Sequence, residues 1–309
     1  MTIDFGLALP PGPLPGATPA WMATLDASLP LLAGHVRSLW MVDHLMWNDI
    51  PAYEAATTMA YMAARWTQFD VGASVFSQSY RNPALLAKMG ATLQILSGGR
   101  FIMGIGAGWK EDEYIPYNYP FPNAAIRLEQ LGEALEIMKR MWTEPGKVTH
   151  RGKHYQVVDA YCEPKPNPAP PIMVGGPGNK TIALAARYAD WYNIADATLE
   201  RFAERLGVIR QACKAIGRDP KTLRLTWFGR LSLGKTEAEA RTRATHVGRE
   251  HYGIWTIDGA FVGTPAQVVE KIHAFADLGV DYFMFEILDL ADPDIRDMAI
   301  QEVFAKVNA

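Results

Sequence analysis

Asp43 and His44 stand side by side in VDHLMW, at the polar end of the apolar run SLWMV. An imidazole titrates close to neutral pH, so His44 can donate or accept a proton at a reacting group. Asp43 can orient that ring or cap a helix, and a loop histidine with a purely structural role fits the same local sequence. A second set is GGPGNKT, where Gly175, Gly176 and Gly178 precede Asn179, Lys180 and Thr181. Glycines let backbone approach a ligand closely, and the free N–H groups of a helix start can receive a phosphate. An ordinary strand-to-helix turn meets the same description. Trp40, Trp47, Phe76, Trp109 and Tyr114 are the third set, flat apolar surfaces that either line a site for a planar compound or fill core.

Other chemistries find little support. There is no HExxH or cysteine-rich pattern, and His150 and His154 fall on a predicted hairpin, so no metal site is expected. Ser74 and Ser77 lack a GxSxG elbow, which argues against a serine hydrolase. No GxGxxG follows the first predicted strand, which argues against a Rossmann dinucleotide site.

The elements that must position these residues alternate in kind. Short apolar runs at 3–9, 38–42, 69–76, 101–105, 171–174, 191–194, 223–233 and 282–286 read as strands. Helical patterns separate them, with Pro51 placed near the first turn of one over 51–66 and Asn82-Pro83 opening another over 83–96. In the clearest helix, Ile126, Leu128, Leu131, Leu135, Met138 and Trp142 share a face, and Glu136 and Arg140 form an i,i+4 pair. GKVTHRGKHYQV reads as a small hairpin. Buried strands alternating with helices mean a parallel sheet covered on both faces. Eight such units without a linker predict an α/β chain forming a single-domain (β/α)8 TIM barrel over residues 1–309, with insertions after its fourth and seventh strands. A barrel places its site at the C-terminal strand ends. That rule selects Asp43 and His44, 74–77, 106–109, 175–179, 193–196, Arg230 and Glu286.

Composition agrees with a packed globular chain: 49% hydrophobic and 20% charged residues over 309 positions exclude intrinsic disorder. A net charge of -3 offers no overall field for nucleic acid, yet leaves room for a local anion site. Cys162 and Cys213 are far apart and read as reduced thiols. No apolar run reaches a membrane span of about 20 residues and the N-terminus does not read as a signal peptide, so a cytoplasmic location without a membrane partner is expected.

Several stretches carry a resemblance: LWMVDHLMW, RNPALLAKMGATLQILSGGRFIMGIGAGWKEDEY, FPNAAIRLEQLGEALEIMKRMW, PPIMVGGPGNKTIALAARYADWYNI and GTPAQVVEKI. Together they resemble the luciferase-like flavin and deazaflavin oxidoreductases, most of all the coenzyme F420-dependent branch. The resemblance implies a TIM barrel holding a deazaflavin at its mouth, with FMN and a dioxygen-using monooxygenase as the alternative and a noncatalytic cofactor-binding barrel as a third reading. It implies a homodimer acting on a small organic substrate, which the local aromatics mark as apolar or planar, and a non-prolyl cis bond near Ala73, Ser74 and Val75. It places Asp43 and His44 beside the ring with His44 handling the proton and Asp43 orienting it. Trp47 lies beyond them, and Gly106, Ala107 and Gly108 meet the ring edge or tail. Gly175, Gly176, Gly178 and Asn179 hold the phosphate. In GAGWKEDEY, Glu111 and Glu113 are available, but Trp109 and Lys110 occupy the region of the sugar-phosphate branch's catalytic acid. Glucose 6-phosphate chemistry is therefore not implied.

Overall fold

Twelve strands and eleven α-helices form among the residues described by the computed structural model, 2–12, 18–48, 50–251 and 257–309. The loop PPGPLPG lies partly outside the described residues. The strands are β1 (Asp4–Leu9), β2 (Ser38–Met41), β3 (Asp70–Ala73), β4 (Phe76–Ser77), β5 (Phe101–Gly106), β6 (Lys147–Arg151), β7 (Gln156–Tyr161), β8 (Ile172–Gly175), β9 (Trp191–Ala195), β10 (Arg224–Leu233), β11 (Phe261–Gly263) and β12 (Val280–Ile287). Parallel pairing runs β1–β2–β3–β5–β8–β9–β10–β12 and returns from β12 to β1, closing an eight-stranded barrel. The expected barrel is therefore present. Its strands are mostly buried, as a sheet covered on both faces requires.

The helices are α1 (Thr18–Leu32), α2 (Ala55–Arg65), α3 (Pro83–Leu96), α4 (Glu111–Tyr114), α5 (Ala124–Thr143), α6 (Asn179–Tyr188), α7 (Leu199–Ala215), α8 (Glu237–His251), α9 (Pro265–Asp277), α10 (Pro293–Met298) and α11 (Ala305–Val307). Local sequence sets several boundaries. Asn82 accepts from the Ala84 and Leu85 amides with Pro83 in the first turn of α3, and Thr264 and Gln267 form a capping box on α9. Two expectations are corrected. Pro51 lies outside α2, because Glu54 takes the cap and accepts from Ala56 and Thr57 amides. On α5, Arg140 turns to Glu144 instead of Glu136, donating from Nε at 2.8 Å. The extra segments fall where expected: α4 and the antiparallel hairpin β6–β7 lie between the fourth and fifth barrel strands, and α8 and β11 follow the seventh.

Two cores result. The larger lies between sheet and helices; the smaller fills the barrel, where Ala8, Trp40, Ile102, Met173, Tyr282 and Met284 pack together. Trp40 donates from Nε1 to Ser38 Oγ at 2.5 Å and packs against Trp191 and Tyr282. Among the described residues no helix is long and apolar enough to cross a membrane.

Candidate active site

The loops after the barrel strands enclose a cleft of about 530 Å³ at the C-terminal end of the barrel. That volume suits a small-molecule site. Its wall includes Asp43, His44 and Trp47 after β2, Ser74 to Ser77 after β3, and Gly106 to Lys110 after β5. Gly175, Gly176, Pro177 and Thr181 contribute from β8 and α6, and Asp196, Arg230 and Glu286 from the last three strands.

His44 is held from behind. Its Nδ1 lies 2.5 Å from Glu113 Oε1, and the Glu113 side chain is 0% exposed. The other carboxylate oxygen accepts from the Leu45 amide at 2.6 Å and more distantly from Met46 at 3.4 Å. A carboxylate taking backbone N–H bonds is an acceptor, so Nδ1 carries the proton and Nε2 is left as the basic nitrogen. Trp47 and Trp109 meet the imidazole edge-on at 4.5 and 5.9 Å and lie 5.9 Å from each other. Trp109 is 62% exposed and forms the lip. Lys110 pairs with Asp112 and lies 5.3 Å from the centre of the Trp47 ring.

Asp43 has a different partner from the one expected. Its two oxygens accept from Arg81 Nη1 and Nη2 at 2.8 and 2.9 Å, and Oδ2 also accepts from the Ser77 amide at 2.9 Å. Its carboxylate is thereby taken up in tying β2 to the segment after β3, and the role of orienting His44 passes to Glu113. Burial works against the Arg81 charge, but Asp43 and Glu54 outweigh it and raise its pKa. Burial likewise opposes ionisation of Glu54, while bonds from Thr57 and Arg81 bring it down to about 2. Burial beside Glu113, Tyr114 and Asp43 pushes Tyr80 upward, keeping that cleft-lining phenol neutral.

Val75, which follows a cis peptide bond from Ser74, lines the cleft. Gly106 and Gly175 flank it: an added Cβ would lie 2.8 Å from Val75 Cγ2 at Gly106 and 3.0 Å from Cγ1 at Gly175. Both glycines thus make room for Val75, besides lining the cleft. Gly108 has φ +74°, and a Cβ there would collide with the Tyr114 hydroxyl. Tyr114 itself is buried behind the wall, within 2.8 Å of Ser77 Oγ.

At the other end, α6 starts at Asn179 without any side-chain cap from Gly178. The N–H groups of its first turn have no intrahelical carbonyl partner and form an anion-receptive end. The predicted wall residues Trp47, Phe76, Trp109, Ser74, Val75, Gly106, Ala107, Gly108, Gly175 and Gly176 come together in the cleft. Trp40, Tyr114, Ala73, Gly178 and Asn179 are not on its wall. Trp40 plugs the barrel, Ala73 is buried in β3, and Asn179 Oδ1 accepts from Arg205 at 3.0 Å. Sequence reasoning missed Arg81 and did not single out Glu113. A four-residue helix carries Glu111, Asp112 and Glu113 in succession and is too short for periodicity to mark the buried one.

A closed (β/α)8 barrel with a polar and aromatic cleft at its strand ends defines the architectural class. The luciferase-like monooxygenase family model matches residues 36–256, and the chain belongs to that family. Matched relatives include an F420-dependent glucose-6-phosphate dehydrogenase from Kineococcus radiotolerans, 30% identical over 209 residues, covering 66% of this chain and 61% of that protein. A phthiodiolone/phenolphthiodiolone dimycocerosates ketoreductase from Mycobacterium sp. (strain JLS) is 30% identical over 238 residues, covering 68% and 61%. The chain thus spans about three fifths of the length of these curated relatives. An F420-dependent secondary alcohol dehydrogenase, solved in complex with an F420-acetone adduct, shares the fold with a TM-score of 0.81 at 18% identity, over 98% of each chain.

Proposed function

We propose that the protein is an F420-dependent oxidoreductase that transfers a hydride between the deazaflavin C5 and a small organic substrate. The observation that carries this reading is the His44–Glu113 pair, set in the wall of a cleft shaped around Val75, in a chain whose relatives include F420-dependent enzymes. The residues present fit such a cofactor: Val75, Gly106, Ala107 and Gly175 offer a ring-sized apolar floor, and the uncapped start of α6 offers N–H groups to an anionic tail.

When bound, F420 supplies the hydride chemistry, and the protein supplies binding, orientation and electrostatics. Glu113 accepts a hydrogen bond from the His44 Nδ1–H and fixes the ring. His44 Nε2 then takes the proton from a substrate hydroxyl, or returns it to the oxygen in the reverse direction. Trp47 and Trp109 exclude water on one side of the imidazole and give a planar substrate an apolar surface. Asp43, saturated by Arg81 and Ser77, fixes the position of the segment bearing Val75.

The description of the family as luciferase-like monooxygenases favours one second reading, use of FMN with dioxygen. Absorbance titration of the purified chain with F420 and with FMN separates the two. The proposal predicts saturable F420 binding and weak FMN binding, whereas tight FMN binding with negligible F420 binding overturns it.

A further inference from the structure

The cleft holds a nearly buried side-chain amide that proton handling does not use. Asn193, in β9, lines the cleft and is only 3% exposed. Its register partners are Gly175 on β8 and Thr226 on β10, so it stands beside the glycine that flanks Val75. Its main chain is tied to the glycine loop. The Gly176 amide donates to the Asn193 carbonyl at 3.1 Å, and the Tyr192 hydroxyl donates to the Gly176 carbonyl at 2.8 Å.

The bonds around this amide set its orientation. Thr226 Oγ1 donates its single hydrogen to the Tyr192 carbonyl at 3.1 Å. Towards Asn193 that oxygen is therefore an acceptor, and Asn193 Nδ2 donates to it at 3.0 Å. Oδ1 is the other end of the amide. No described residue donates a hydrogen bond to it, and the part of Asn193 that stays exposed faces the cleft. A nearly buried amide oxygen is costly to leave unpaired, so a molecule filling the cleft must bring a donor to it.

An amide oxygen accepts from an O–H or N–H and has nothing to offer a phosphate or carboxylate oxygen. In the cofactor reading the ring lies by Val75, Gly106 and Gly175, and the anionic tail by the start of α6. Asn193 stands between the two, because Gly175 opposite it leads through Gly176 into α6. Between ring and phosphate, F420 and FMN both carry a chain of hydroxyls. We infer that Asn193 Oδ1, held in place through Thr226, is the acceptor for a hydroxyl of that polyol chain. The inference rests on the cofactor reading for its location and adds the residue that recognises the part of the cofactor between ring and phosphate.

Two matched pairs of probes test this by fluorescence titration of the purified full chain. The first pair is the deazaflavin headpiece of F420 with its polyol chain but no phosphate, and the same ring with a methyl group in place of the chain. Riboflavin and lumiflavin are the corresponding flavin pair. The unaltered chain is expected to bind the polyol member at least about fivefold more tightly than the methyl member. Asn193→Leu, which keeps much of the volume and removes the acceptor, should weaken the polyol member about fivefold and leave the methyl member within about twofold. Thr226→Val frees the amide to turn and should reduce the preference about twofold, and it serves if Asn193→Leu does not fold. No preference in the unaltered chain, equal weakening of both members by Asn193→Leu, or a preference unchanged in every variant that folds overturns the inference. If only the flavin pair binds, the F420 reading fails while the riboflavin preference still decides the role of Asn193. If neither pair binds, both ideas fail.

Discussion

Asp43 and Glu113 are both carboxylates buried beside the cleft, and the protein uses them in opposite ways. Asp43 is the chain neighbour of His44, yet both its oxygens are occupied by Arg81 and Ser77. Glu113 is far from His44 in sequence, yet it is the acid that holds the imidazole. The difference comes from backbone geometry. Adjacent residues leaving a strand point in opposite directions, so Asp43 and His44 reach different neighbours. A one-turn helix after β5 then brings Glu113 to the side that His44 faces. One acid ties two strand ends together, while the other holds the imidazole that we propose as the proton acceptor.

The comparison can be broken at its shared element first. Replacing His44 by Ala should lower kcat by about 100-fold or more, the usual worth of a general acid–base group. The F420 dissociation constant, read by absorbance titration, should stay within about threefold. Full turnover in this variant would remove His44 from the mechanism.

Arg81→Met strands Asp43 as a buried charge and should cost about 3–5 kcal/mol of stability in denaturant unfolding, as breaking a buried pair does. Loss below about 1 kcal/mol would mean that Asp43 is not structurally committed to Arg81. Glu113→Gln retains an acceptor but removes the charge behind His44. A fall in kcat of about tenfold with an altered pH–rate profile is the expected outcome, along with a loss of about 1–3 kcal/mol in unfolding, because the amide NH2 meets one of the N–H donors.

The smallest effect concerns Glu54, which shares Arg81 with Asp43. Its folded pKa of about 2 lies below the ordinary carboxylate value of 4.5. Its contribution to stability is therefore complete above about 4.5 and lost as pH falls towards 2. Acid unfolding followed by circular dichroism should be shallower across that window in Glu54→Gln than in the unaltered chain.

Most of the barrel is legible in the sequence because its strands are short apolar runs punctuated by Gly, Pro and polar residues. α3 and α9 announce their starts through Asn82-Pro83 and Thr264-Pro265. The strand-end rule then finds His44, Val75, Gly106 and Gly175 without any view of the cleft. What stays hidden depends on side-chain direction and long-range partnership. Trp40 belongs to an apolar run in either reading, and only the close approach of Gly6 and Gly72 reveals it as the barrel's plug. Arg81 reaches two acids from different segments, 38 and 27 residues away, a match no local pattern encodes. Arg140 had two acids within reach, Glu136 on its own helix and Glu144 at the helix C-cap, and helix phase alone does not choose between them.

The protonation of the His44 ring tests the account most directly. Nitrogen-15 NMR of histidine-labelled protein, with His44 assigned through His44→Ala, distinguishes the two ring nitrogens. The account predicts that neutral His44 carries its proton on Nδ1, and that Glu113→Leu disturbs this tautomer. A neutral ring protonated on Nε2, or an Nδ1 signal indifferent to Glu113→Leu, would contradict it.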